Sequence, residues 1–501
     1  MRGTDRLPMG ADAWQESGRK EKSMADTADT KENEVGDIGL IGLGVMGRNF
    51  AINMADHGFA VVGYDRDAEK TDQLEKERSG KHAICTSDDP AAFCQMLRRP
   101  RAIMILVPAG DPVDAVIQAL EPHLEPGDLI IDSGNSHFTD TDRRSARLEE
   151  KGLHFMGMGI SGGESGARHG PSLMPGGTEA GYERVRPILT AAAAHVGEMP
   201  CVAYMGPRSA GHYVKMVHNG IEYGLMQLIA ETYDLMKRAL GMRPDHLHSV
   251  YRRWNRGALG GYLMEITAAI FQHRDDATGR PLIDLILDEA TQKGTGEWTV
   301  ADALKQQVPT PTIDAAVMMR HLSGDDQQRR AAANRFQGPN PHFTGDREAF
   351  IAHLEKALHA AFIMTYAQGM ALLRKASQTY GYRLDLETVA RVWTGGCIIR
   401  AALLEDIQAA FRDDPDLANL MTAPALGRTL QTHQVALRAV VGTAAGLGLA
   451  VPGLMAALSY WDAYRSGWLP ANLVMAQRDY FGSHTYRRID AQGTFHTQWE
   501  A

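Results

Sequence analysis

Short apolar runs alternate with helix-like stretches along residues 37–209. The apolar runs are Asp37–Ile41, Ala60–Tyr64, Ala102–Val107, Leu129–Asp132 and Leu153–Ile160, and the helix-like stretches include Pro112–Leu124 and Thr139–Lys151. Apolar runs of about four to eight residues are typical of buried strands, and strands that alternate with helices form parallel sheets. The pattern therefore predicts an α/β domain over residues 37–209, with helices on both faces of a parallel sheet.

From residue 210 onward the apolar positions recur every three or four residues. The clearest examples are Tyr213–Leu240, Phe350–Ser377 and Leu430–Leu449, and the first two are similar enough in length and content to be copies of one another. This period is that of amphipathic helices, so residues 210–469 are predicted to form a large all-α domain. Residues 470–501 are polar, aromatic and glycine-containing, and we expect an extended C-terminal tail that docks on another surface. Residues 1–36, rich in charged and small residues, are predicted to be a disordered tail.

Composition and charge limit the kinds of partner that the chain is expected to bind. The chain has 501 residues with 52 Lys+Arg against 61 Asp+Glu, a formal net charge of −9, and no long basic block, so nucleic acid is not expected as a partner. The four cysteines lack metal-ligand spacing and are predicted to be thiols in a reducing compartment, and no metal is expected. The uncharged run Ala439–Tyr460 holds four glycines and a proline, so it is predicted to form buried helices rather than a membrane span. A cytoplasmic protein is the expectation.

A glycine-rich turn follows the first predicted strand. Gly42, Gly44 and Gly47 have the GxGxxG spacing, and a helix-like stretch begins directly after them. The first glycine permits a tight turn, the second lets the backbone approach a pyrophosphate, and the third allows close packing of helix on strand. Because the helix N-terminus also offers free N–H groups to phosphate, this context predicts a Rossmann-type dinucleotide-binding domain.

The acidic residue at the end of the second strand bears on the choice of cofactor. Asp65 lies eighteen residues after Gly47, where a carboxylate can accept hydrogen bonds from the adenosine ribose and repel a 2′-phosphate, which favours NAD. Arg66 can bind a 2′-phosphate, which favours NADP, or can merely stack on the adenine. The two residues favour opposite cofactors.

The stretch Lys215–Tyr223 carries a polar stripe on an apolar helix. Lys215, His218, Asn219, Glu222 and Tyr223 fall at i, i+3, i+4, i+7 and i+8, so they share one helix face. Unpaired polar groups are costly to bury, so this face must line a wet cleft or pair internally. The stripe is interpreted either as a structural ion pair between Lys215 and Glu222, or as a base and an acid two turns apart, with His218 and Asn219 placed to hold hydroxyls.

Other segments offer donors for an anionic substrate. Ser161-Gly162-Gly163 forms a small turn whose N–H groups can bind a carboxylate, and Lys293-Gly294-Thr295-Gly296 is a plausible phosphate cradle. Arg320, Arg478 and His484 could complete a cationic pocket, although each taken singly is a typical surface charge.

Five long motifs occur in order along the chain and together resemble the 6-phosphogluconate dehydrogenase (decarboxylating) family in its long form. They are Gly42–Gly47, Ser161–Gly177, Lys215–Tyr223, Gln292–Gly296 and Gln477–His484, and the resemblance extends from about Asp37 to Trp499. It implies oxidative decarboxylation of 6-phosphogluconate to ribulose 5-phosphate and CO2 in the pentose phosphate pathway, with hydride transfer to NAD or NADP. It also implies a homodimer in which each tail reaches the partner's site.

The resemblance assigns roles to residues of this chain. Lys215 is implied to be the general base toward the C3 hydroxyl and then the acid toward the enol oxygen, and Glu222 to protonate C1. The residues implied to hold the carboxylate and hydroxyls are Asn135, Ser161, Gly162, Gly163, His218 and Asn219, and those implied at the phosphate end are Tyr223, Lys293, Thr295 and Arg320, with Arg478 and His484 from the partner. The implied cofactor contacts are Gly42, Leu43, Gly44, Val45, Met46, Gly47, Asp65, Arg66, Asp67, Val107, Pro108, Ala109 and Asn135.

This chain departs from the family pattern near the cofactor. Asp65-Arg66-Asp67 stands where the family usually has Asn-Arg-Thr, and Pro108 stands where it usually has Lys. Both changes reduce positive charge, so NAD use or dual use is predicted, with NADP as the family's usual cofactor kept open. Two alternative functions are considered: a dehydrogenase of another 3-hydroxy acid, and a catalytically inactive cofactor-binding dimer. Enzymes of the first kind are shorter, and a protein of the second kind would be expected to have lost Lys215 or Glu222.

Overall fold

The computed structural model describes residues 35–77 and 83–499, so the predicted disordered tail lies outside the described residues except for its last two positions. A seven-stranded sheet is built from β1 (Ile38–Ile41), β2 (Val61–Tyr64), β3 (Ile84–Ser87), β4 (Ala102–Ile105), β5 (Leu129–Asp132), β6 (His154–Ser161) and β7 (Ser172–Gly177). The strand order is β3-β2-β1-β4-β5-β6-β7, with β6 and β7 antiparallel and every other neighbouring pair parallel. The described part of the chain thus confirms the predicted α/β sheet and adds an antiparallel edge strand.

Helices cover both faces of this sheet. They are α1 (Val45–Asp56), α2 (Ala68–Glu77), α3 (Pro90–Gln95), α4 (Asp111–Leu120), α5 (Phe138–Glu149), α6 (Gly163–His169) and α7 (Glu179–Ala192). One apolar core joins α1 and α7 to the sheet, and two smaller cores on the opposite face hold α3, α4 and α5. A short hairpin of β8 (His195–Val196) and β9 (Met199–Pro200) precedes the helical region.

The second half is helical, as the apolar period predicts. It comprises α8 (Ala210–Asp234), a π-turn (Leu235–Ala239), α9 (Pro244–Trp254), α10 (Tyr262–Ile270), α11 (Thr295–Gln306), α12 (Pro311–Gly324), α13 (Asp326–Arg335), α14 (Arg347–Tyr380), α15 (Leu386–Val392), α16 (Leu403–Asp413), α17 (Pro424–Gly446), α18 (Pro452–Tyr464) and α19 (Ala471–Gly482). The long helix α14 packs against α8 and α17 at the centre of one large apolar core. Among residues 35–77 and 83–499, no helix combines the length and apolar character that crossing a membrane requires.

The C-terminal segment, expected to be extended, begins instead with a helix. After α19 the chain turns back, and Tyr486 pairs with Phe495 in an antiparallel bridge. The Asp479 carboxylate organises this turn, because it accepts hydrogen bonds from the Thr485 and Thr497 N–H groups and from the Trp499 indole. A single buried acid therefore gives the polar tail a local structure of its own.

Glu231, on the buried face of α8, caps the neighbouring helix α18. Its carboxylate accepts hydrogen bonds from the backbone N–H groups of Gly453 (2.7 Å) and Leu454 (2.9 Å) and from the Gln227 amide (2.9 Å). Burial nevertheless raises the pKa of Glu231 to about 7 from 4.5, and the hydrogen bonds only partly oppose this rise. The cap thus links the packing of α8 on α18 to the ionisation of one carboxyl group.

We expect the Glu231→Gln variant to lose part of the pH dependence of folding. Between about pH 4.5 and 7 the folded chain holds the Glu231 proton and the unfolded chain releases it, so the free energy of unfolding falls as pH rises through this window, by about 2–3 kcal/mol. Urea unfolding at pH 5 and pH 8 measures this fall. It should be smaller in the Glu231→Gln variant and unchanged in Glu405→Gln, at an exposed position of α16. An equal fall in all three proteins would contradict the assignment.

Candidate active site

Three of the predicted functional side chains, those of Lys215, His218 and Glu222, lie next to one another on helix α8. Lys215 and His218 are buried, at 6% and 0% exposure. The His218 Nδ1 atom lies 3.4 Å from Lys215 Nζ and 3.7 Å from Glu222 Oε2, so the imidazole stands between the amine and the carboxyl group. The stripe is therefore a connected cluster rather than a direct Lys215–Glu222 ion pair.

Glycines let α8 approach the sheet closely enough to build this cluster. A Cβ atom at Gly159 of β6 would lie 2.3 Å from the Lys215 Cβ atom, and one at Gly176 of β7 would lie 2.2 Å from the Gly211 nitrogen. At Gly211 of α8 itself, a Cβ atom would lie 2.2 Å from the Met174 carbonyl oxygen. Side chains at these positions would push the helix outward and withdraw Lys215 from β6.

Burial shifts the ionisation of Lys215 and Glu222 in opposite senses. It lowers the pKa of Lys215, against the opposing effect of the Glu222 carboxylate. It raises the pKa of Glu222, against the opposing effects of Lys215 and Arg320. Burial also lowers the pKa of His218 well below its ordinary value, so this imidazole is neutral near pH 7. A lysine favoured as the neutral base beside a carboxyl group favoured as the acid is the arrangement that proton transfer at two substrate atoms requires.

The Ser161 turn meets this cluster at the end of β6. Ser161 Oγ lies 3.1 Å from His218 Nε2 and accepts a hydrogen bond from the Ile398 N–H at 3.2 Å. Gly162, at φ +124°, lets the chain turn sharply into α6. Cys397 was not predicted from the sequence, yet its Sγ atom lies 3.0 Å from His218 Nε2. No spacing marks this cysteine, because it reaches the site from a loop 179 residues away in sequence.

The predicted phosphate end lies at the next turns of α8. The Arg320 guanidinium stacks over the Tyr223 ring at 3.6 Å and donates to the Thr291 carbonyl. The Asn219 amide donates to Thr295 Oγ1 at 3.2 Å, which ties the start of α11 to the cluster. Lys293 is exposed just before α11. These side chains form the cationic, hydroxyl-rich wall that an anionic group requires.

Three of the predicted residues, Arg478, His484 and Asn135, lie outside this cluster in the single chain. The contacts that the structure gives Arg478 and His484 are with Met475 and Phe481, inside the C-terminal segment. Asn135 is exposed on the loop after β5. A buried network anchors that loop, since the Asp132 carboxylate accepts hydrogen bonds from the Ser136 hydroxyl and the Gly134 N–H.

A groove of about 510 Å³ runs along the carboxyl ends of β1, β2 and β4. Gly42, at φ +93°, makes the turn, and a Cβ atom at Gly47 would lie 1.9 Å from the Gly42 oxygen. A Cβ atom at Gly44 would have nothing within 4 Å, so the backbone there is open toward the groove. The other predicted residues that line the groove are Asp65, Arg66, Val107 and Pro108. These features fit a dinucleotide pyrophosphate at the α1 N-terminus.

The Asp65 carboxylate is engaged within the protein as well as facing the groove. It accepts hydrogen bonds from the Leu43 N–H at 2.8 Å and the Asp67 N–H at 3.1 Å, and it lies 3.6 Å from the Lys70 ammonium. Lys70 also lines the groove and was missed from the sequence. In the part of the chain that the structure describes, no three His, Cys, Asp or Glu side chains are grouped to hold a metal ion.

Comparisons with known proteins agree with this architecture. Residues 37–206 match the NAD binding domain of 6-phosphogluconate dehydrogenase, and residues 211–499 match the 6-phosphogluconate dehydrogenase C-terminal domain. A decarboxylating 6-phosphogluconate dehydrogenase of Synechococcus elongatus is 54% identical over 91% of this chain and 98% of its own length. Two Bacillus subtilis relatives, one NADP(+)-dependent and one NAD(+)-dependent, are 48% and 47% identical over 91% of this chain, covering 97% and 98% of their own lengths.

The solved structures give the same result. A Plasmodium falciparum 6-phosphogluconate dehydrogenase, studied in its apo form and in complex with NADP+ and with 6-phosphogluconate, superposes with a TM-score of 0.90 at 41% identity. The match covers 92% of this chain and all of that one. On both domains, the chain belongs to the 6-phosphogluconate dehydrogenase family.

Proposed function

We propose that this protein oxidises 6-phosphogluconate and releases CO2 to give ribulose 5-phosphate, using NAD+ or NADP+. The observation that carries the proposal is the Lys215–His218–Glu222 cluster, in which burial favours a neutral amine and a protonated carboxyl group close to the same imidazole. The chemistry needs one base at C3 and one acid at C1 of the product, and both groups are present on one helix face.

Lys215 takes part in three proton transfers with the substrate in this scheme. It removes the proton from the C3 hydroxyl while hydride leaves C3, and the nicotinamide cofactor, when bound, supplies the hydride acceptor. The resulting 3-keto acid loses CO2, because the electron pair of the breaking C1–C2 bond is delocalised into the C3 carbonyl. Lys215 returns its proton to the developing enol oxygen. Glu222 then protonates the carbon that carried the carboxylate while Lys215 takes the enol O–H proton back, which gives the ketone, and passage of that proton to Glu222 restores both groups.

The remaining polar residues bind and orient the sugar phosphate. The carboxylate and hydroxyls are assigned to Asn135, Ser161, Gly162, Gly163, His218 and Asn219, and the phosphate to Tyr223, Lys293, Thr295 and Arg320. The short distances among Ser161, His218 and Asn219 support a common pocket for these groups. The Arg320 guanidinium over Tyr223 supports an anion at the far end.

The direct test is an assay of purified protein with 6-phosphogluconate. Absorbance of the reduced nicotinamide and CO2 release are followed together, with NAD+ and NADP+ in parallel. We expect the reduced nicotinamide and CO2 to form at equal rates. Reduction without CO2 would favour a simple 3-hydroxy acid dehydrogenase, and no reduction with either cofactor would favour an inactive cofactor-binding dimer.

For the cofactor, we propose NAD use or dual use. Asp65 opposes a 2′-phosphate, while Arg66 and Lys70 in the same groove attract it. The Asp65→Asn variant should raise the ratio of kcat/KM for NADP+ to that for NAD+ by about tenfold, because it removes one negative charge near the 2′-position. Asp72→Asn, the same change at an exposed position of α2, should leave the ratio unaltered. An unaltered ratio in the Asp65 variant would remove Asp65 as a determinant.

We also propose a homodimer in which each C-terminal segment completes the partner's site. Helix α19 leaves large apolar side chains exposed in the single chain, including Leu473 (60%), Val474 (54%) and Phe481 (73%). Such a patch is typical of a surface that another protein covers. A second copy of the chain is the natural occupant, because Arg478 and His484 lie on the same segment and would bring donors to the phosphate end of the partner's site.

Mixed dimers test this exchange. Lys215→Met and Arg478→Ala chains should each be nearly inactive alone, but co-refolding them should restore about a quarter of wild-type activity. In a mixed dimer, one site combines the intact Lys215 of one chain with the intact Arg478 of the other. The control pair, Lys215→Met with Glu222→Gln, should restore nothing, since each chain damages its own site. No recovery in the first mixture would place Arg478 in its own chain's site.

A further inference from the structure

Three side chains from distant parts of the chain converge on the imidazole of His218. The Nε2 atom lies 3.1 Å from Ser161 Oγ on β6 and 3.0 Å from Cys397 Sγ on the loop after α15. On its edge the imidazole packs against the Trp393 ring at a centroid distance of 5.6 Å. Nothing in the sequence or in the proposed mechanism assigns a role to Cys397.

The other ring nitrogen of His218, Nδ1, faces the amide oxygen of Asn219 and the side chains of Lys215 and Glu222. Nδ1 lies 3.0 Å from Asn219 Oδ1, whose amide nitrogen is committed to Thr295 Oγ1. The Glu222 carboxyl group lies 3.7 Å from the same nitrogen. Because the imidazole is neutral, it carries one proton, and the Asn219 oxygen, which can only accept, places that proton on Nδ1. The Nε2 lone pair then requires a donor.

Two groups can donate a hydrogen bond to Nε2 of His218, the Ser161 hydroxyl and the Cys397 thiol. The Ser161 hydroxyl is also available to bind a ligand. The Ser161 oxygen already accepts the Ile398 N–H, so its own proton is free to reach Nε2 or a ligand. In the proposed function, Ser161 binds the substrate carboxylate, and its proton then points away from His218. The Cys397 thiol is then the group left to donate a hydrogen bond to Nε2. Burial raises the pKa of Cys397 to about 11, so it keeps its proton and can donate it.

We propose that Cys397 is a positioning residue whose S–H donates to Nε2 of His218 and holds the imidazole with its proton on Nδ1 when substrate occupies Ser161. This assignment rests on the proposed function, since the need for a second donor arises when the substrate carboxylate engages Ser161. The thiol is well placed for the task, because the loop that carries it is tied to the Ser161 turn. A Cβ atom at Gly162 would lie 2.6 Å from the Gly396 oxygen, and Ile398 binds Ser161 directly.

The position of the His218 proton controls the neighbouring base. With the proton on Nδ1, the imidazole presents an N–H to Lys215 Nζ at 3.4 Å, which disfavours the charged ammonium. If the proton moved to Nε2, the Nδ1 lone pair would instead accept a hydrogen bond from the ammonium and stabilise it. The charged or titratable groups facing Lys215 are His218 and Glu222 from its own helix and Cys397 from the loop, while Arg320 on α12 acts through Glu222.

Cys397→Ala should therefore shift the pH profile of turnover. Loss of the thiol lets Nε2 carry the proton toward the Ser161 oxygen, and the freed Nδ1 lone pair then stabilises the Lys215 ammonium. A higher pH is needed to obtain the neutral amine, so the low-pH half-point of kcat should rise by about half to one pH unit. Cys397→Ser retains a donor and should restore the wild-type half-point.

The control for this shift is another buried thiol. Cys94→Ala, on α3, should leave kcat and its half-point unchanged. A half-point that stays in place in Cys397→Ala, or that moves equally in Cys397→Ser, would overturn the proposal.

A spectroscopic measurement separates this proposal from the activity. In protein labelled with 15N-histidine, the Ser161→Ala variant should keep the His218 proton on Nδ1, because Cys397 still donates. In the Ser161→Ala/Cys397→Ala double variant no side chain at these two positions donates to Nε2, and water in the space that the two truncations leave can accept a hydrogen bond there, so part of the proton population should move to Nε2. The His218→Gln spectrum identifies the signal. Identical His218 shifts in the single and double variants would contradict the role of Cys397 even if the enzyme were fully active, whereas an inactive wild type with the expected shifts would contradict only the proposed function.

Discussion

Replacing Lys215 with methionine should lower kcat by about a thousandfold while leaving cofactor binding intact. Methionine is similar in length to the apolar part of lysine and is well suited to a position that is 6% exposed, so the helix should pack as before. What is lost is the neutral amine that, in the proposed mechanism, removes the C3 hydroxyl proton, and general-base catalysis contributes about 10²–10⁴-fold to such reactions. Steady-state kinetics with 6-phosphogluconate, together with cofactor titration, measure the two effects separately.

The same substitution at Lys237 provides the control. Lys237 lies in the π-turn directly after α8, pairs with Asp284 at 2.7 Å and keeps 40% of its side chain exposed. Lys237→Met should retain wild-type kcat. A Lys215→Met enzyme within about tenfold of wild type would show that another group takes the proton, and the proposed mechanism would have to be abandoned.

Glu222→Gln should separate oxidation from product formation. Lys215 and the hydride step remain, so a first turnover should still reduce the cofactor and release CO2. Without an acid at C1, steady-state turnover should fall by about a hundredfold or more, and the progress curve should show a burst followed by a slow phase. Rapid-mixing absorbance measures both phases.

The pH profile of this variant has a defined sign. In the proposed mechanism Glu222 acts in its protonated form, and burial raises its pKa, so in the wild type we expect it to limit activity on the alkaline side as it loses its proton. Glutamine cannot titrate, and the alkaline fall attributable to this group should disappear. Glu231→Gln is the matched control, since it makes the same substitution at a buried carboxyl group of the same helix. If Glu222→Gln showed no burst, so that the first turnover was as slow as the steady state, Glu222 would be assigned to the oxidation step instead.

The local pattern of apolar residues was sufficient to predict the strands and helices in which these residues form short runs or recur at a regular spacing. The apolar runs at β1, β2, β4 and β5 and the long helices α8, α14 and α17 follow directly from burial on a sheet or along a helix face. Strand β7 was missed because its sequence, Ser172–Gly177, holds a proline and two glycines, which are typical of turns. Gly176 is needed because α8 packs directly on it, and Gly177 because the backbone of β6 lies close; both contacts are tertiary.

The features of the candidate site likewise divide into those that local sequence predicts and those that depend on tertiary packing. The sequence by itself determined the spacing of Lys215, His218 and Glu222 on one helix face and the turn of Gly42–Gly47, because both depend on residues close together in the chain. Only the tertiary structure decided that Cys397 and Ser161 meet on one nitrogen of His218, and that burial lowers the pKa of Lys215 while raising that of Glu222. The physical reason is that burial and long-range contacts depend on how separate elements pack, which no local period records.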